Sequence, residues 1–289
     1  MTSSTFGSRL AAEFAAGRHL CAGIDPHAQL LADWGLADDA DGAERMGREV
    51  VAAAAGVAAC VKPQIAFFER FGSAGYVALE RVLAEARSAG VLVVADVKRG
   101  DIGTSFAAYA DAWLAPGSPL ESDAMTVAAY QGFGTLAGAL DRVQNDGKGL
   151  FVLAATSNPE ARDIQRAKTP DGRTVAATIV DDAVAWNASV AWGEAVGSVG
   201  VVLGATLDLQ DFGIDTGSQP DGPSLPVLAP GFGHQGGRVE DARELFGGIG
   251  HALLANESRS ILGGGPQGLA ARIGDRAAAI AAALDDRRA

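Results

Sequence analysis

The chain has only two cysteines, Cys21 and Cys60, and four histidines, His19, His27, His234 and His251. Both cysteines sit in apolar, strand-like runs, so two buried thiols are expected rather than a disulfide or a metal pair. The histidines are scattered without metal-ligand spacing, which argues against a zinc centre. No charge-free run approaches the ~20 residues that a membrane span requires. Residues 1–16 lack the basic start and long apolar centre of a signal peptide, so a cytoplasmic location is expected. Three signatures of catalysis or cofactor binding are also missing: a Walker A loop, a dinucleotide fingerprint and a Gly-x-Ser-x-Gly turn. Positive charge is scarce. Lys plus Arg total 23 against 35 for Asp plus Glu, a net charge of −12, and that field repels nucleic acid and anionic membrane. A small anionic ligand stays possible if donors and cations gather locally.

Apolar residues are plentiful, at 48% of 289, and a chain of this length can bury a large core. Eight short apolar runs recur at 19–24, 58–62, 91–95, 124–128, 149–155, 199–204, 225–229 and 252–256. Most are continuous Val, Leu and Ala rather than alternating, as expected where both faces of a parallel sheet are covered. Helical patterns separate them. Within 73–90, Tyr76, Leu79, Val82, Leu83 and Ala86 share one stripe, and Gly90 is placed to end the helix. Others cover about 42–55, 135–143, 174–196, 239–247 and 269–284. Residues 157–172 and 208–224 read as loops. Eight strand–helix units predict an α/β fold, a single-domain (β/α)8 TIM barrel over 1–289, with an open doubly wound sheet as the structural alternative.

In such a barrel, chemistry gathers at the C-terminal ends of the strands. Here those ends are polar: Asp25 after the first run, Lys62 closing the second, and Asp96-Val97-Lys98-Arg99-Gly100-Asp101 at the third. Ser157 follows the fifth, the glycine-rich stretch Pro230 to Gly237 the seventh, and Ser258-Arg259 the eighth. Side chains two apart on a strand share a face, so Asp96 and Lys98 both point into the barrel mouth. Ionisable groups in a confined space are either paired structurally or used in chemistry, and spacing alone leaves both open. The glycine-rich stretch offers backbone N–H groups suited to a phosphate, with Arg259 as a neighbouring cation; its bland alternative is an ordinary turn.

At these residues the chain resembles the orotidine 5'-monophosphate decarboxylase family. Asp96-Val97-Lys98-Arg99-Gly100-Asp101-Ile102 matches that family's D-x-K-x-x-D-I element. Further matches follow in order: Gly23-Ile24-Asp25-Pro26, Val61-Lys62-Pro63, Thr156-Ser157-Asn158-Pro159, the glycine-rich stretch, and Ser258-Arg259-Ser260-Ile261. They look like the family's longer bacterial branch. The resemblance implies a homodimer with shared active sites, acting on orotidine 5'-monophosphate without cofactor or metal. It implies a charge network of Lys62, Asp96, Lys98 and Asp101, the last reaching in from the second subunit. It places Asp25 at the ribose, Ser157 at the pyrimidine, and Gln235, Gly236 and Arg259 at the phosphate. Ser105 is also implied to meet substrate, where relatives usually carry Thr.

The closest rival is a magnesium-dependent sugar-phosphate decarboxylase or synthase of the same superfamily. Those proteins carry a metal-binding Glu where this chain has Lys62, and a cation there opposes magnesium. A Schiff-base aldolase needs a neutral amine, whereas aspartates on both sides favour an ammonium. A catalytically silent phosphate-binding protein would not need the charged network.

Overall fold

The eight apolar runs form eight strands: β1 (Leu20–Ile24), β2 (Cys60–Pro63), β3 (Leu92–Arg99), β4 (Ala124–Val127), β5 (Gly149–Ala155), β6 (Val199–Leu203), β7 (Pro226–Pro230) and β8 (Ala252–Glu257). In this computed structural model, which describes residues 4–190, 193–219 and 221–285, each strand pairs in parallel with the next. The eighth returns to the first, closing the expected (β/α)8 barrel. A closed sheet leaves no unpaired edge, so the open-sheet alternative is excluded.

Strand alternation sorts the side chains into two cores. Ala22, Ile24, Val61, Val93, Ala95, Leu150 and Val227 face outward and join the larger core under the helices. Cys21, Cys60, Val94, Ala124, Phe151, Leu228 and Leu254 fill the barrel itself. Both cysteines are buried free thiols, paired across β1 and β2. A hydrogen bond with Cys21, together with burial, raises the Cys60 thiol well above its ordinary range.

The barrel floor is sealed by α1 (Phe6–Ala15), which the apolar pattern did not predict; Thr5 caps it by accepting from the Ser8 N–H. Its Phe6 and Leu10 are fully buried, and Phe6 meets Phe151 edge-on at 6.0 Å. Burying a side chain of that size contributes about 1.5–3 kcal/mol, which is why the floor is closed and the chemistry is left to the other end.

Outside lie α2 (Ala40–Ala54), α3 (Gly72–Ser88), α4 (Gly103–Leu114), α5 (Ala137–Asp146), α6 (Val175–Val190), α7 (Ala242–Phe246) and α8 (Leu269–Leu284). In α3 the predicted stripe is the buried one, with Tyr76 only partly covered. The sequence pattern gave no helix at α4, yet its buried face of Phe106, Ala110, Trp113 and Leu114 has helical spacing. It gave too long a helix at α6. Val196 instead packs in the barrel core and bridges Ser224, past the left-handed turn at Gly193. Residues 157–172 hold two short helical turns, so that loop is more ordered than its polarity suggested.

Candidate active site

The polar cluster at the barrel mouth begins with an irregularity in β3. From Ala95 to Arg99 this strand advances four residues while β4 advances two, from Met125 to Val127. The surplus is taken up at Lys98, the one non-glycine residue with positive φ (+47°) among the described residues. A left-handed conformation costs an L-residue about 1–2 kcal/mol, and such strain collects where geometry serves function. The bulge brings the Lys98 ammonium back onto the side chain two residues earlier: Nζ donates to Asp96 Oδ1 at 2.6 Å. It also donates to Gln64 Oε1 at 3.1 Å.

Asp96 is the centre of the cluster. Its Oδ2 accepts from Lys62 Nζ at 2.7 Å, and its Oδ1 accepts a second hydrogen bond, from the Thr126 hydroxyl at 2.8 Å. Burial alone would raise the Asp96 carboxyl, but the adjacent Lys62 and Lys98 ammonium groups hold it well below the usual carboxylate range. Burial likewise works to discharge Lys62, and the negative charges of Asp96 and Asp25 outweigh it, so its pKa lies above the ordinary value. The two lysines differ in access. The Lys62 side chain is 7% exposed, whereas that of Lys98 is 44% exposed at the mouth.

A second cluster forms beside the first, where β1 meets β8. Asp25, Gln235, Ser258 and Arg259 line one small cavity of about 80 Å³, together with His234 and Asn256. Asp25 Oδ2 accepts a hydrogen bond from the Ser258 hydroxyl, while its buried Oδ1 has no partner among the described residues. An acceptor in that state calls for a donor such as a ligand hydroxyl. Gly23 makes this approach possible, since a Cβ there would lie 2.1 Å from Ser258 Oγ. The wall of the cavity is the glycine-rich turn after β7. It closes on itself through Gly237 N–H to Gly231 O at 3.0 Å, and Gly231 has φ +117°, which disfavours any side chain there.

Thus Lys62, Asp96 and Lys98 are brought together, and so are Asp25, Gln235 and Arg259. Gly236 faces another cavity, shared with Thr206, Asp208 and Asp241. Ser157, just after β5, is exposed, with its Cβ packed towards Gly204. Ser105 is exposed in the first turn of α4. Asp101 does not join its own chain's network: its Oδ1 accepts from the Ile102 N–H at 2.8 Å, and it forms no salt bridge among the described residues. Gln64 and Thr126 were not foreseen. Each carried a faint signal: Gln64 lies two residues beyond Lys62, and Thr126 is the polar residue in an otherwise apolar strand. No group of three or more potential metal ligands occurs among the described residues.

Comparison with known proteins identifies the family and the fold. A model of the orotidine 5'-phosphate decarboxylase / HUMPS family matches residues 18–272. The orotidine 5'-phosphate decarboxylase of Streptomyces coelicolor is 49% identical over 267 residues, spanning 92% of this chain and 93% of that protein. The one from a Nocardioides species is 50% identical over 260 residues, 89% and 91% of the two chains. Among solved structures, one from Streptomyces avermitilis has a TM-score of 0.90 at 48% identity, covering 98% of this chain and 97% of the other. The Leishmania donovani OMP decarboxylase has a TM-score of 0.74 at 28% identity, covering 96% and 99%. With the barrel, the charged mouth and these relatives in agreement, the chain belongs to the orotidine 5'-phosphate decarboxylase / HUMPS family.

Proposed function

We propose that this protein decarboxylates orotidine 5'-monophosphate to uridine 5'-monophosphate, a carbon–carbon lyase reaction that ends de novo pyrimidine nucleotide synthesis. One observation carries the reading: an accessible ammonium, Lys98, pinned by a buried aspartate at a barrel mouth.

The chemistry requires such a group. When the bond between the pyrimidine ring and its carboxylate breaks, carbon dioxide leaves and the electron pair stays in the ring plane, where the π system cannot delocalise it. The protein must stabilise localised negative charge and then supply a proton, and a fixed ammonium does both. In this reading Lys98 is that group, and Asp96 aims it. Lys62 keeps Asp96 ionised and occupies its second oxygen, the place where a divalent ion would otherwise bind. This favours the decarboxylase over the magnesium-dependent relatives. Asp25, with its unpartnered Oδ1, suits ribose hydroxyls. Gln235, Gly236 and Arg259 are assigned to the phosphate and Ser157 to the pyrimidine. Ser105 is assigned to substrate once the neighbouring subunit is in place. Remote phosphate binding would order the turn after β7 and raise the rate.

We further infer a homodimer in which Asp101 completes the partner's network. Asp101 forms no ion pair with Lys98 among the described residues, and the exposed apolar side chains include its neighbour Ile102, at 58%, and Tyr130, at 82%, surface that a second copy would cover. A cytoplasmic location fits a nucleotide-making enzyme in which no described helix is long and apolar enough to cross a membrane.

The test is to follow the ultraviolet absorbance of orotidine 5'-monophosphate with enzyme pretreated with EDTA. Turnover that survives the chelator is expected. No turnover at all, or turnover that stops with EDTA and returns with magnesium, would refute the proposal.

A further inference from the structure

Lys98 cannot hold its position by its own side chain alone, because its backbone is in a disfavoured conformation. In a regular strand, alternation from Asp96, whose C=O accepts from the Ile65 N–H, would turn the Lys98 N–H towards β2. The bulge removes that possibility, and the N–H goes instead to the Thr126 side chain, at 3.0 Å from Oγ1. The same hydroxyl lies 2.8 Å from Asp96 Oδ1. A hydroxyl has one proton to give and two lone pairs to offer. Asp96, ionised and facing two ammonium groups, can only accept, so the Thr126 proton must go to the carboxylate and its lone pair to the Lys98 N–H. One side chain therefore ties together the strained backbone of the lysine and the carboxylate that aims its ammonium.

Thr126 is 1% exposed, and with three donors on Asp96 there is no slack in the arrangement. Buried groups held from several sides are what keep a catalytic side chain within the few tenths of an ångström that matter for rate. We propose that Thr126 is a positioning residue for the decarboxylation step, acting on the Lys98 ammonium through Asp96 and through the Lys98 backbone. The proposal rests on the decarboxylase reading above. It predicts an effect on the chemical step and not on substrate capture, because Thr126 belongs to neither the Asp25 nor the Arg259 side of the site.

The experiment compares Thr126→Val, Thr126→Ser and Thr126→Cys by steady-state decarboxylation of orotidine 5'-monophosphate, with thermal melting of each. Valine keeps the shape and removes both hydrogen bonds. It should lower kcat by about 30-fold, within the range for losing a charge-assisted hydrogen bond, and leave KM within about threefold. Serine restores the hydroxyl and should return kcat to within about threefold of wild type. If the valine protein does not fold, serine against cysteine decides: they differ only in hydroxyl against thiol, and serine should exceed cysteine in kcat by about tenfold. The proposal is overturned if valine and wild type share the same kcat, if kcat and KM change together without rescue by serine, or if serine and cysteine are equal. Wild-type turnover, measured alongside, separates the two ideas. Its absence defeats the decarboxylase reading itself, whereas an active wild type with an equally active valine variant defeats only the role of Thr126.

Discussion

Asp96→Asn preserves the shape of a side chain while removing the charge that two ammonium groups share. The partners will respond differently. Lys98, nearly half exposed, can turn its ammonium into water, but the Lys62 side chain, 7% exposed, has no such route. Stranding a buried charge costs about 3–5 kcal/mol. A ceiling is set by the alternative of losing the proton, which at pH 7 costs a lysine of ordinary pKa about 4.6 kcal/mol. Asp25 remains close enough to offset part of this, so about 3–4 kcal/mol is expected. For a protein of this size that corresponds to a fall in Tm of roughly 5–7 °C.

Urea unfolding read by circular dichroism, from pH 6 to pH 9, would measure it. The gap to wild type should narrow as pH rises, because the orphaned ammonium of the variant sheds its proton more easily. Adding Lys62→Met should recover about half of the lost stability or more, although it removes a second charged group. If Asp96→Asn lies within about 0.5 kcal/mol of wild type at pH 7, the reasoning is wrong. It is equally wrong if the double variant is no more stable than the single one.

Lys98→Ala should abolish decarboxylation and leave the thermal transition near wild type; activity within about tenfold of wild type would remove Lys98 from its assigned role. Mixing Lys98→Ala with Asp101→Ala, each inactive alone, should restore about a quarter of wild-type activity if sites are shared in a symmetric dimer, and none if each chain is self-sufficient. Arg259→Ala should lower kcat/KM about tenfold to a hundredfold, as for other lost contacts to a charged group; an unchanged value would take it out of the phosphate site. The Asp96–Lys62 pair also sets a pH window for stability. The Asp96 carboxyl is depressed, so its contribution is full above about pH 4 and is lost as pH falls further. The Lys62 ammonium is raised, so its contribution is full below about pH 10 and is lost above that. Denaturant titration of wild type from below about pH 4 to above about pH 10 should show both declines, and Asp96→Asn should show a smaller acid one.

The sequence by itself determined a parallel sheet layered with helices, because eight apolar runs covered on both faces and separated by helical stripes bury themselves in that way, while closure into a barrel rather than an open sheet was decided by the pairing of β8 with β1. It also determined which residues stand at strand ends, and hence Lys62, Asp96, Lys98, Asp25 and Arg259 as candidates. Two helices escaped it: α1 plugs a barrel floor that does not exist until the sheet closes, and α4 follows directly on a bulge.

Only the tertiary structure decided how those candidates meet. Period-two alternation put Asp96 and Lys98 on one face but said nothing of the bulge that folds the lysine back onto the aspartate. Thr126 and Gln64 are ordinary polar residues in the sequence, and their roles arise from hydrogen bonds across 28 and 34 positions of chain. The physical reason is locality. Propensity and periodicity are properties of neighbours along the chain, while the charge on a buried carboxylate depends on which ammonium groups the fold brings within 3 Å of it.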